Sequence, residues 1–167
     1  MNYMKLLSLL IVFGALLTFS SCTKDNDTTN PDNSDVYLTC KIDGTAFSAE
    51  PLTVGSTSTG KNFSVQGNGS GLDALSISMI LNSSYSGVGT YSFGENYLSN
   101  TALYMPKVLN PAEAFSAVFA GNNAGQIEIT LDDGTYVEGT FSFRCANQNN
   151  ISQTASITEG KFRAKLP

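Results

Sequence analysis

From residue 36 onward, apolar and polar positions alternate with a period of two, the signature of strands that bury one face. Val36, Leu38, Cys40 and Ile42 fall on one face, and Tyr37, Thr39 and Lys41 on the other. Asp43-Gly44 then predicts a tight hairpin turn into residues 45–49. Phe63 and Val65 open a further strand that ends in the glycine-rich stretch 67–71. Leu75, Ile77, Met79 and Leu81 alternate with Ser76, Ser78 and Ile80. Gly87 and Gly89 punctuate before a strand at 90–93, and a short strand at 102–105 is stopped by Pro106. Ile127, Ile129 and Leu131 alternate with Glu128 and Thr130. Asp132-Asp133-Gly134 turns the chain into residues 136–145, where Val137, Gly139, Phe141, Phe143 and Cys145 share a face. Ile157 and residues 162–166 give a final strand or pair. Residues 110–120 fit a helical turn, with Pro111 at its first position, as well as they fit a strand. About eight to ten antiparallel strands predict an all-β domain over residues 36–167, a single β-sandwich or a closed β-barrel.

Residues 89–93 read GTYSF and residues 139–143 read GTFSF. A duplicated half-sandwich would produce such a pair, but the flanking residues do not match. Coincidence among strands rich in Gly, Ser and aromatics is the better explanation, since a repeat architecture needs several copies.

The first 35 residues break the pattern. Lys5 precedes an apolar run over 6–19, interrupted only by Ser8, Gly14 and Thr18. The run is short for a membrane span and fits the apolar region of a secretory signal. Phe19-Ser20-Ser21-Cys22 follows, and it resembles a bacterial lipobox. Residues 1–21 are therefore expected to be a cleaved lipoprotein signal peptide, with Cys22 acylated (palmitate included) and serving as the membrane anchor. A signal peptide that happens to contain a cysteine, or a transmembrane anchor, is the alternative. Two or more acyl chains anchor stably, at about 0.8 kcal/mol per buried methylene. Residues 23–35, TKDNDTTNPDNSD, hold no apolar side chain and cannot offset chain entropy, so a disordered acidic linker is expected.

Composition narrows the chemistry. The 167 residues include no His and no Trp, which excludes Ser-His-Asp triads, Cys-His dyads and His-ligated zinc. A formal net charge of −5 argues against a nucleic-acid partner, because phosphate binding needs a basic face. No metal or cofactor site is expected. A third glycine is missing after Gly67-x-Gly69 and after Gly87-x-Gly89, so neither is a nucleotide-binding loop. A carboxylate pair is the only enzymatic chemistry left open. Glu128 and Glu138 would be cross-strand neighbours if 126–131 and 136–145 form a hairpin, although solvated strand residues have the same pattern. Tyrosines are the better candidates. Tyr37 and Tyr136 fall opposite the apolar faces and could contact a ligand, and Tyr85, Tyr91, Tyr97 and Tyr104 are spread through strands and loops. Their alternative is core or edge packing.

Three cysteines are an odd number for an exported chain. With Cys22 assigned to lipid, Cys40 and Cys145 remain, each in line with an apolar face. The oxidising envelope allows a Cys40–Cys145 disulfide joining the first strand to a late one, and this bridge is the expectation. Two buried free thiols are the alternative.

The stretches TCKIDGTAF (39–47), VEGTFSFRC (137–145) and ITEGKF (157–162) together resemble a family of Bacteroidota lipoproteins known only as a domain of unknown function. The resemblance covers most of 36–167 and implies an envelope-anchored β-domain. It implies no activity, substrate or catalytic residue. In that setting the acidic residues after Cys22 resemble a surface-export signal, and Asp27-Thr28-Thr29 resembles an O-glycosylation motif with Thr28 as acceptor. The expectation is an outer-membrane lipoprotein, surface-exposed and non-catalytic, that binds or adheres to a glycan, a peptide or another envelope protein. The alternatives are a structural accessory subunit of an outer-membrane complex and a carboxylate-based glycan hydrolase.

Overall fold

The computed structural model describes residues 35–94 and 99–167. The strands are β1 (Tyr37–Ile42), β2 (Thr45–Ser48), β3 (Gly55–Thr59), β4 (Asn62–Asn68), β5 (Ser76–Leu81), β6 (Gly89–Phe93), β7 (Thr101–Met105), β8 (Phe115–Ser116), β9 (Gly125–Asp132), β10 (Tyr136–Asn147) and β11 (Asn150–Lys165). Short 3-10 turns occur at Pro51–Thr53, Pro111–Glu113 and Ala117–Ala120, and no α-helix occurs among the described residues. The fold is all-β, as the alternation predicts.

All the strand pairs are antiparallel. Neighbours run β2-β1-β11-β10-β8-β7-β5-β4-β3 in one sheet. Strand β10 is a fork. Its first part pairs with β9, which carries β6, while its last residues, Ala146 and Asn147, pair with β8. The sheet curls on itself into a half-barrel. The Ser56 hydroxyl of β3 reaches back to donate to the Lys165 carbonyl at the end of β11, 2.7 Å away. A side chain rather than a strand ladder makes this link, so the curl stops short of a closed barrel.

The inward residues are the alternating apolar positions. Leu38, Phe63, Val65, Ile77, Met79, Leu81, Phe93, Ile127, Ile129, Val137, Ile157 and Phe162 are essentially fully buried. Seven rings form a continuous chain through this core: Tyr91, Tyr85, Phe63, Phe162, Phe141, Phe143 and Phe93. Successive centroids lie 4.8 to 6.5 Å apart. Phe63 on β4 meets Phe162 on β11, so the chain of rings crosses the curl and ties its two halves. Aromatic pairs of this kind contribute about 0.5–1.5 kcal/mol each beyond area burial.

Glycines make room for the rings. Gly139 is the cross-strand partner of Phe162, and Gly160 of Phe141. A Cβ on Gly160 would sit 2.5 Å from the Phe141 ring. A Cβ on Gly139 would sit 2.8 Å from the Phe162 ring and would collide with the Glu128 carbonyl. Each ring thus lies over the bare backbone of the opposite strand, in reciprocal pairs two residues apart.

The two similar pentapeptides turn out to flank a single strand. Tyr91 and Phe141 both face Ile127 of β9, Thr90 and Thr140 both face Glu128, and Phe93 and Phe143 both face Gly125. The Phe93 and Phe143 rings meet edge to face at 6.0 Å. GTYSF and GTFSF thus meet the same β9 residues in the same register, one on each side.

Two bulges shift the alternation. In β11 one extra residue lies opposite both neighbouring strands, between the pairs of Thr39 and Lys41 on β1 and of Phe141 and Phe143 on β10. Glu159 occupies this site with φ of 53°. The bulge turns burial from Ile157 to Gly160 and Phe162, so the final strand or pair expected here is a single 16-residue strand. In β9 a second irregularity sets Leu131 opposite Glu138, leaving Leu131 half-buried rather than aligned with Ile127 and Ile129. Asp43 and Gly44 have φ of 48° and 85°, as the tight hairpin requires.

The ring-over-glycine pairs predict a sharp contrast between glycines. Gly160→Ala is expected to cost the upper end of roughly 1–3 kcal/mol, because ring and backbone must both move. Gly55→Ala, with nothing within 4 Å of its added carbon, is expected to stay within about 0.5 kcal/mol of the parent. Denaturant midpoints of the two variants measure the difference.

Candidate functional site

The outward face of the β2-β1-β11-β10-β9 region is polar along whole cross-strand rows. One row runs Ser48, Thr39, Lys161, Thr140, Glu128 and Thr90 from β2 to β6. Beside it, Ser142 faces Gln126. The bulge at Glu159 bends β11 here, and the face becomes an open groove of about 850 Å³. Its lining includes Thr39, Lys41, Ser48, Gln126, Thr140, Ser142, Glu159 and Lys161. Glu159 is the single carboxylate of that lining, and Lys41 donates to it at 2.7 Å. Such an exposed pair adds at most about 1 kcal/mol. Lys161 makes no ion pair among the described residues. The strands β1, β11 and β10 have partners on both sides, so their backbone groups are already used, and the groove offers a ligand side-chain hydroxyls, one amide and one free ammonium beside the apolar surface of Ala46, Phe47 and Phe141.

Next to the groove, Tyr37 and Tyr136 come together around a residue the sequence did not single out, Arg163. Tyr37 pairs with Arg163 across β1 and β11 and is 40% exposed. The Arg163 guanidinium lies over the Tyr136 ring, 4.3 Å from its centroid, and donates to the Glu138 carboxylate. The Nε of Arg163 is buried without a partner. Tyr136 therefore has one ring face covered by a cation and is not a free stacking platform. Glu138 is spent on Arg163 and faces Leu131, whereas Glu128 faces Thr140. The hairpin forms as expected, but the two acids are not direct cross-strand neighbours. Among the described residues no cluster of His, Cys, Asp or Glu comes together that could hold a metal ion.

Tyr85, Tyr91 and Tyr104 are structural. Tyr85 and Tyr91 are buried in the chain of rings. Tyr85 donates to the Asp132 carboxylate at 2.6 Å, and burial, with that carboxylate, raises its phenol well above the ordinary value. The Tyr91 hydroxyl donates to the Gly87 carbonyl at 2.7 Å. Tyr104 packs on Phe115 with centroids 5.5 Å apart. Asp133 accepts from the backbone N–H groups of Tyr136 and Thr135, and these bonds hold its carboxyl below the usual range. Tyr97, Cys22 and Thr28 lie outside the described residues, as do the signal peptide and most of the linker.

The expected Cys40–Cys145 bridge is absent, and both residues are buried free thiols. Register explains it. Cys145 lies opposite Ala155 on β11, while Cys40 lies beside the bulge between Thr158 and Lys161. At about 3.3 Å per residue along a strand and two strand spacings across, their Cα atoms are separated by roughly 15 Å or more. A disulfide needs about 4.4–6.8 Å. The Cys145 thiol donates weakly to the Ala155 carbonyl at 3.6 Å.

Burial pushes both thiols up from 9.0 to about 12. The fold thus favours the neutral thiols. Their contribution to stability is complete below pH 9 and is lost as pH rises toward 12. Alkylation followed by peptide mapping is expected to leave Cys40 and Cys145 unmodified at pH 8 in the native chain. Both should be modified in denaturant without any reductant, and the denaturant midpoint should fall between pH 9 and 12.

Neither the curated proteins nor the solved structures give a match to this chain. A family model described as a Domain of unknown function (DUF6252) matches residues 35–165, a span that takes in all eleven strands. The chain belongs to the DUF6252 family.

Proposed function

We propose that this protein is a non-catalytic binding module, held at the outer membrane through a lipid anchor on Cys22, and that the groove on its outward face takes a polyhydroxylated ligand, a glycan. The observation that carries this reading is the chemistry of the groove. Its volume suits a few sugar units. Its lining sets the hydroxyls of Thr39, Ser48, Thr140 and Ser142 beside the apolar surface of Ala46 and Phe47, a mixture suited to the polar edges and apolar faces of sugar rings, and its one carboxylate is paired. A peptide read through its backbone would find partners only along the free edge of β2, because the other strands of the groove are hydrogen-bonded on both sides. A glycan is read through side-chain hydroxyl, amide and ammonium groups, which the groove supplies. The unpaired ammonium of Lys161 favours sugars that carry a carboxylate. A hydrolase would need two carboxylates about 5–9 Å apart across the ligand, and the lining offers only Glu159.

Calorimetric titration with neutral and uronate-containing oligosaccharides tests the ligand. Binding is expected, with the acidic sugars tighter. Thr140→Arg should abolish it by filling the groove, and Lys161→Glu should remove the preference for acidic sugars. Both positions are exposed, so stability should change by no more than about 0.5 kcal/mol. Absence of binding across the panel, or binding untouched by both substitutions, would overturn the reading. Mass spectrometry of the N-terminal peptide tests acylation of Cys22.

A further inference from the structure

The three most exposed large apolar side chains among the described residues are leucines on loops tied to one another. Leu52 is 85% exposed, Leu72 91% and Leu109 71%. Leu52 sits on the 3-10 turn before β3, Leu72 on the loop between β4 and β5, and Leu109 on the loop after β7. Strands β7, β5, β4 and β3 are antiparallel neighbours, so these loops leave the same end of the half-barrel. Backbone bonds stitch them together. Glu50 N–H donates to the Asn68 carbonyl at 2.8 Å, and Val108 N–H to the Ala74 carbonyl at 2.9 Å. Leu109 N–H donates to the Asp73 carboxylate at 3.1 Å. The backbone is held and the leucines project from it, which makes a rim rather than scattered exposed residues.

The start of the domain arrives beside this rim. Ala49 N–H donates to the Leu38 carbonyl at 2.9 Å, immediately before the turn that carries Leu52. Gly67 of β4 is so close that a Cβ there would lie 3.2 Å from that of Leu38. Only residues 23–35 separate Cys22 from Val36. Thirteen residues reach at most about 45 Å.

We propose that Leu52, Leu72 and Leu109 form a second membrane contact, inserting into the interfacial layer of the bilayer to which the chain is anchored. The proposal rests on the reading of Cys22 as lipidated. Tethering raises the local concentration of bilayer, so a contact that is weak alone becomes populated. The charges on these loops are Glu50, Asp73, Lys107 and Glu113, with Asp73 already accepting from Leu109 and Glu113 from Asn110. They sum to two negative charges, so insertion is driven by the leucines and not by attraction to anionic lipid. The rim would hold the domain in one orientation on the membrane rather than letting it swing on its linker.

The test uses the full chain, reconstituted in phosphatidylcholine vesicles and carrying an environment-sensitive fluorophore on Leu72→Cys, Leu109→Cys or Val88→Cys. Val88 is an exposed control on the loop before β6, whose neighbour Tyr85 bonds to Lys61 at the opposite end of β4. Cys40 and Cys145 are buried and escape labelling. Nitroxide lipid is expected to quench the label at 72 and 109 and not at 88, equally at low and high salt. Leu52→Ser with Leu109→Ser should abolish quenching at 72. Unquenched labels at 72 and 109 on vesicle-bound chain would overturn the rim while leaving the anchor standing. Protection that appears without lipid and grows with protein concentration would overturn it in favour of a second copy of the chain. Mass spectrometry of the N-terminal peptide judges the anchor separately: if no lipid is found, the anchor reading falls. The rim is then judged by flotation and quenching, and a chain that does not float with vesicles overturns it.

Discussion

Rings lying on bare backbone hold this fold in its shape. Phe141 covers Gly160 and Phe162 covers Gly139, so β10 and β11 clamp each other through two reciprocal pairs. Everything else branches from that clamp. Strand β10 carries β9 and β8 on its other side, and β11 carries β1. Phe162 also reaches Phe63 on β4, which makes it the ring shared by the clamp and the far half of the sheet. A Cβ on Gly160 would displace the Phe141 ring, and one on Gly139 would displace Phe162, the ring that reaches the far half. The glycines earn their place here through close approach rather than backbone freedom, since neither has a positive φ.

This clamp also explains which parts of the fold were legible. Where one strand face is buried and the other solvated, period-two alternation reveals the strand, and β1, β5, β9 and β10 follow from it almost residue by residue. β3 does not. Its sequence, GSTST, has no apolar side chain, and it forms because β4 offers a ladder and Lys165 an acceptor. Residues 110–120 resisted assignment for a similar reason: they divide between two 3-10 turns and the two-residue strand β8. The closing motif ITEGKF was visible as a motif, but its meaning was not. It places a bulge at Glu159, bare backbone at Gly160 and a buried ring at Phe162.

The site shows the same limit. Alternation correctly sets Tyr37 and Tyr136 on the outward side, because the face of a residue is a local property. Arg163 escaped notice because its role depends on which residues stand across from it, and register is not local. The disulfide expectation failed for that reason too. Cys40 on β1 and Cys145 on β10 are both buried, but they stand opposite different heights of the intervening β11. The groove depends on a single inserted residue in β11, a feature that period-two reading can only register as a break in the pattern.

A sheet that forks rather than closes has a cost, since it leaves three edges, at β2, β3 and β6. Exposed edges invite further strands. The edge of β3 turns toward the end of β11, where Ser56 meets the Lys165 carbonyl. The edge of β6 is engaged by Asn100, whose amide donates to the Ser92 carbonyl at 3.3 Å. Asn100 is itself buried and accepts from the Ser84 hydroxyl at 2.5 Å and from Asn82 N–H, so this cover is fixed in place. β2 has no such cover among these contacts. It is protected by brevity instead: four residues long, it ends three residues before Pro51, which cannot donate to a ladder. A strand added there could not extend. The polar groove beside β2 thus opens at a sheet edge that is too short to serve as a template for further strands.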